Sequence, residues 1–244
     1  MRVIGGLGEL RGLGRPPGSY SNYRDVIETC GPFRDIAITP TLMWRPGRNR
    51  VVQLMRVLAG TDPDLAEHGV RTGKLARRLG FEMGMTRAEL DRIEASARLH
   101  DIGKLLISRE ILDKPGAPTE PEWVELRRHP RIGFEIVRRR VASKVAQTIL
   151  THHERYDGTG YPSGLAGTEI PVEARILQVA DAFDAITSVR PYQPAMPVEY
   201  AICELTRCAG TQFDPKAVAG IVRLVRHHDR PTARPQPAAD AIAV

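Results

Sequence analysis

Cysteine is nearly absent from this chain, with Cys30, Cys203 and Cys208 the three among 244 residues. So few, so spaced, argue against a disulfide scaffold, and nothing demands an oxidising compartment. Cys203 and Cys208 are five apart on a predicted helix, which points them in different directions and makes a mutual bridge awkward. Long apolar runs are missing as well. None approaches the roughly 18 residues of a spanning helix, and Gly, Arg and Pro interrupt every N-terminal candidate for a secretory signal. The expectation is a cytoplasmic protein with no membrane span.

Lysine is missing from residues 1–48, which hold eight glycines and five prolines. No apolar period persists there, so this stretch reads as an irregular leader. The net charge of +6 suggests nucleic acid until it is located. Residues 1–50 carry eight arginines against four acids, and residues 223–244 carry four against two, which leaves 23 basic and 23 acidic residues between them. A neutral middle argues against a nucleic-acid platform.

What is present is helical periodicity. Val51, Val52, Leu54, Met55 and Leu58 suit one helix, and Asp64 to Gly80 suits a second. Thr86-Arg87-Ala88-Glu89 is a capping box opening a helix to His100, and Thr119-Glu120-Pro121-Glu122 opens another running through His129 and Ile136. Val141–His153 continues helical. A glycine-rich loop at 158–167 follows, then a long helix from Pro171 and two more near 197–208 and 215–228. The domain is expected to be all-α over residues 49–228, with an Ala/Pro tail at 229–244 expected to be disordered.

Histidine is scarce, yet five of the seven fall at His68, His100-Asp101, His129 and His152-His153. Imidazole recurring beside carboxylate on a helical scaffold is what a multi-metal site needs. Neighbouring helical side chains diverge by about 100°, so His152 and His153 fit best if each faces a different ion. Asp101 has two oxygens and can bridge two cations, and Lys104 lies one turn past His100. Asp64 and His68 are four apart and share a helix face. Asp181 and Asp184 are three apart beneath the glycine-rich loop. Nitrogen and oxygen donors without cysteine suit Fe, Mn, Ni or Co better than structural zinc. Two cations about 4 Å apart stabilise an in-line phosphoryl displacement. Gly158, Gly160 and Gly164 permit close approach of backbone to a ligand, and Arg190 offers a planar guanidinium for phosphate or a guanine edge.

Taken together, His100-Asp101-Ile102-Gly103-Lys104, His129-Pro130, His152-His153-Glu154, Asp157-Gly158-Thr159-Gly160-Tyr161-Pro162, Asp181-Ala182-Phe183-Asp184-Ala185 and Arg190-Pro191-Tyr192 resemble the HD-GYP subgroup of the HD hydrolase superfamily. The similarity runs from about Asp62 to Asp214. It implies a bundle of about seven helices and hydrolysis of cyclic di-GMP to pGpG, with GMP as a further product. It implies metal ligation by His68, His100, Asp101, His129, His152, His153 and Asp181, with two divalent ions, Fe or Mn. Lys104 would assist at the scissile phosphate, and Gly160, Tyr161, Pro162 and Arg190 would border the dinucleotide.

Three departures stand out. Leu65-Ala66-Glu67 replaces the Thr-Gly often found before the first ligand histidine. Asp64 stands where some members carry the glutamate of a third metal, one methylene longer. Gln193 stands where a substrate-contacting lysine is common, unless Arg155 or Arg207 supplies the charge. Two other readings stay open: a signalling adaptor that binds without turnover, and a phosphohydrolase acting on another cyclic dinucleotide such as cyclic GMP-AMP. With no sensor domain fitting the leader, input is expected from a partner, such as a sensory or GGDEF-type signalling protein, or from a missing N-terminal region.

Overall fold

The computed structural model describes residues 48–189 and 194–228 of the chain. The leader at 1–47, the tail at 229–244, and Arg190 and Gln193 lie outside those residues. All regular structure described is helical: α1 (Arg48–Thr61), α2 (Pro63–Glu82), α3 (Arg87–Leu99), α4 (Arg109–Leu112), α5 (Glu120–Leu126), α6 (His129–Val137), α7 (Ser143–Thr151), α8 (Val172–Thr187), α9 (Val198–Arg207) and α10 (Pro215–His228). Extended pairing among the described residues is limited to two isolated bridges, Asp157 with Ala166 and Ala209 with Phe213. None of these helices is long and apolar enough to cross a membrane.

The helices start where capping chemistry dictates. Asp62 accepts the Leu65 amide at 3.0 Å, and Thr86 closes its capping box with Glu89, whose carboxylate takes the Thr86 amide at 2.8 Å. The Thr119 amide reaches Glu122 at 2.6 Å. Where one helix was predicted from Thr119 through Ile136, there are two. Pro130 has no amide hydrogen to continue the ladder, and the chain turns at Arg127-Arg128 before restarting as α6.

Two apolar cores flank the middle of the molecule. One gathers Ala76, Leu79, Ile93, Ala97, Ile176, Leu177, Leu205 and Ile221 from α2, α3, α8, α9 and α10. The other gathers Leu54, Leu58, Leu99, Ile102, Ile132, Ile136 and Ile149 from α1, α3, α6, α7 and a 3₁₀ turn, Ile102–Leu106. Helix α3 serves both, and the chain leaves it at His100. The 3₁₀ turn presses on α6 so tightly that a Cβ at Gly103 would lie 2.0 Å from the His129 carbonyl oxygen. Only glycine brings Asp101 and His129 this close.

Candidate metal centre

Three of the histidines share one local device. His100 and His152 occupy helix C-caps, where the final carbonyls have no amide four residues on. The His100 Nδ1–H takes the Ala97 carbonyl, and that of His152 takes the Ile149 carbonyl, each at 2.7 Å. At His129 the spare acceptor comes from Pro130. Lacking an N–H, Pro130 leaves the Leu126 carbonyl free, and His129 Nδ1 binds it at 2.7 Å. A carbonyl only accepts, so Nδ1 carries the proton in all three, and Nε2 presents a lone pair. Such outer bonds fix tautomer and ring orientation in histidine metal ligands.

The lone pairs converge. His129 Nε2 lies 3.3 Å from His152 Nε2 and 3.2 Å from His153 Nε2. Asp101 Oδ1 is 3.2 Å from the same His129 nitrogen, yet it is buried with no hydrogen-bond donor. An anionic oxygen facing unprotonated nitrogens is costly unless a cation sits among them. The other Asp101 oxygen turns the opposite way, 3.3 Å from His100 Nε2 and 2.6 Å from Lys104 Nζ.

A second group forms on that side. His68 Nε2 and His100 Nε2 lie 3.0 and 3.7 Å from Asp181 Oδ1. The two groups able to hold an ion are thus Asp101, His129, His152 and His153, and His68, His100 and Asp181. The donors present fit a pair of divalent cations, with Asp101 between the groups. His152 and His153 belong to one group rather than facing different ions. The 100° divergence does not apply, because α7 ends at Thr151 and His153 lies beyond the helix. Asp64 is exposed and belongs to neither group.

Electrostatics agree with a site built for positive charge. Burial, followed by the proximity of His129, holds His153 down at about 3. Burial also lowers His152 and His129. These imidazoles are neutral at pH 7, as metal ligation would require. Although burial opposes it, His100 and Lys104 keep Asp101 well below the usual carboxylate range. Asp181 is likewise depressed against burial, chiefly by its bond to His68. For His68 burial is outweighed by bonds to Asp181 and Asp184, which raise it to about 9.

Several supporting residues had no role in the sequence reading. Asp184 accepts from His68 Nδ1 at 2.8 Å and is itself held by Arg71 at 3.0 and 3.2 Å. Its spacing from Asp181 was the available signal. Glu154, 1% exposed, accepts the amides of Ser163, Gly164 and Leu165 at 2.7, 3.0 and 3.1 Å. Burial raises its pKa against those three donors. This carboxylate folds the glycine-rich loop back over His153. A Cβ at Gly160 would lie 2.2 Å from the Arg155 amide nitrogen, so the loop packs on bare backbone. Tyr161 thereby stacks on His153, with ring centroids 4.9 Å apart at 23°, and precedes Pro162 through a cis bond. The loop base is tied to the 210–213 segment by the Tyr156 and Asp157 amides, which bind the Gln212 and Thr211 carbonyls.

The description of the HD domain family matches residues 53–217. The chain belongs to that family. It is 40% identical over 179 residues to the cyclic di-GMP phosphodiesterase response regulator RpfG of Xanthomonas campestris, covering 72% of this chain and 47% of that protein. To a cyclic di-GMP phosphodiesterase of Thermotoga maritima it is 39% identical over 178 residues, covering 71% and 48%. The chain therefore spans about half the length of these relatives. An HDG"Y"P protein from Bdellovibrio bacteriovorus has the same fold, with a TM-score of 0.56 at 21% identity, covering 72% of this chain and 57% of that one.

Proposed function

We propose that the chain is a metal-dependent phosphodiesterase that hydrolyses cyclic di-GMP, opening the ring to pGpG, with GMP as the product of a second cut. The carrying observation is Asp101, whose two oxygens face separate ligand groups. His129, His152, His153 and Asp101 would hold one divalent ion, and His68, His100 and Asp181 a second, with Fe or Mn suited to this donor set. When bound, such a pair would supply positive charge to the phosphate and acidify a water.

The chain's own residues do the rest. The Nδ1 bonds lock the imidazoles in place, so little reorganisation is needed as charge develops on the phosphate. Lys104 Nζ sits beside Asp101, poised to neutralise a phosphate oxygen. Tyr161, carried by Gly160 and Pro162, walls the site over His153 and would border the dinucleotide, as would Arg190. Hydrolysis places the hydroxyl of water on phosphorus and the proton on the departing ribose oxygen. The names of the bacterial relatives support cyclic di-GMP as substrate; a cytoplasmic signalling setting with a sensory or GGDEF-type partner is part of the same proposal.

The test is incubation of metal-loaded protein with cyclic di-GMP and with cyclic GMP-AMP under anaerobic conditions, with products separated by chromatography. Formation of pGpG is expected. Binding without product would favour an adaptor, and cleavage of cyclic GMP-AMP alone would move the substrate.

A further inference from the structure

A dianionic substrate needs cations beyond the metal centre, and most basic residues near this site are committed. Lys104, held by Asp101, is placed for the phosphate being cut and not for the other one. Arg71 is bonded to Asp184. Arg155 pairs with Asp157 at 2.9 Å and donates to Thr159 at 2.8 Å. Arg207, exposed on α9, pairs with Glu204 at 2.7 Å. Neither arginine that could replace a lysine at 193 is therefore free.

Arg127 is different. It caps α5 at the turn that Pro130 enforces, two residues before His129. Among the described residues it makes no ion pair. Its guanidinium carbon lies 5.9 Å from the Trp123 ring and 5.9 Å from the Tyr161 ring. Tyr161 in turn stacks on His153, so the guanidinium stands one aromatic ring away from a proposed metal ligand. Proximity to two rings favours the cation there by cation–π attraction and does not use its N–H donors. A planar fork placed this way suits a phosphate's paired oxygens.

We propose that Arg127 binds the phosphate of the cyclic dinucleotide that is not being cleaved, and so selects diesters carrying two phosphates over those carrying one. This rests on the phosphodiesterase reading above and adds a specificity residue to it.

The experiment compares metal-loaded wild type, Arg127→Ala and Arg127→Lys on cyclic di-GMP and on bis(4-nitrophenyl) phosphate, which has one phosphate and no base. Inhibition by cyclic di-AMP is measured alongside, and far-UV circular dichroism checks that both variants fold. Arg127→Ala is expected to raise KM for cyclic di-GMP roughly tenfold or more, as for loss of a charge-assisted bond, with kcat within about threefold. The loss for the single-phosphate diester should be much smaller. Cyclic di-AMP should inhibit the variant correspondingly less well, and Arg127→Lys should recover part of the effect.

Equal losses on both substrates would mean that Arg127 only props Tyr161, and would overturn the proposal. So would an unchanged KM. A raised KM for cyclic di-GMP with undiminished inhibition by cyclic di-AMP would assign Arg127 to the guanine edge instead. Wild type that neither binds nor cleaves cyclic di-GMP would overturn the underlying function and this inference with it, a result visible before any variant is made.

Discussion

His152 and His153 are consecutive, with ring centroids 4.1 Å apart, yet both direct Nε2 at His129. Each would supply a separate donor to one ion, so neither can substitute for the other. Alanine at either position is expected to cut turnover by more than about a hundredfold, the scale of losing a principal charge-stabilising group. If they share an ion as proposed, the double variant should fall well short of the product of the two losses. Steady-state kinetics on fully loaded proteins checks both points, and near-normal turnover in either single variant would remove that histidine from the ligand set. Asp184 accepts from His68 Nδ1 and would orient that imidazole towards an ion. Asp184→Asn keeps an acceptor but loses the charge, and should weaken metal retention about 10–100-fold in competition with a chelator.

At the scale of elements, the turn between α5 and α6 and the 3₁₀ turn after α3 decide the geometry. Gly103→Ala would drive a methyl into backbone of α6 at His129 and Gly133, where no side chain can yield. A stability loss of about 2–4 kcal/mol is expected in urea titration, with metal retention impaired as well. A Gly103→Ala protein as stable as wild type would show that this contact is slack. Helix starts were legible in the sequence because Thr86 with Glu89 and Thr119 with Glu122 carry their own capping chemistry. The histidine donors were legible because few other residues offer neutral nitrogen. The break before His129 was not read, although Pro130 announces it, because apolar periodicity continues from Val124 through Ile132 and Ile136. The pairing of His152 with His153 was misassigned by extending helical angles past the last turn of α7. Glu154 was legible as part of the His152-His153-Glu154 motif but not as an acceptor of loop amides, and Arg127 gave no signal by type or spacing. Their roles depend on amides and rings brought together only when the glycine-rich loop folds back.

For the whole molecule, the two candidate ligand groups join elements of both cores, so ion binding there would be coupled to folding. Chelation should lower Tm, since an ion that binds only the folded state stabilises it by mass action. Without metal, acid should destabilise the fold. The folded-state pKa of His153 is depressed to about 3, below an unfolded value of about 6.5. Between those values the unfolded chain takes a proton that the folded chain refuses, so stability falls as pH drops through this window. The loss is up to about 1.4 kcal/mol per unit for one such residue, with His152 and His129 shifted the same way. His68 is shifted upward, to about 9, so its contribution is full below pH 6.5 and fades as pH rises towards 9. Thermal melts of chelated protein between pH 4 and 9 should therefore peak near neutrality, and a flat acid limb would contradict the neutral-histidine account. The most direct test is metal content per chain by mass spectrometry, measured with cyclic di-GMP turnover on the same samples of wild type and Asp101→Ala. Two ions per active wild-type chain and near-complete loss of both in Asp101→Ala are predicted. Full activity with one ion per chain, or an Asp101→Ala protein that keeps two ions and its turnover, would contradict the bridged centre.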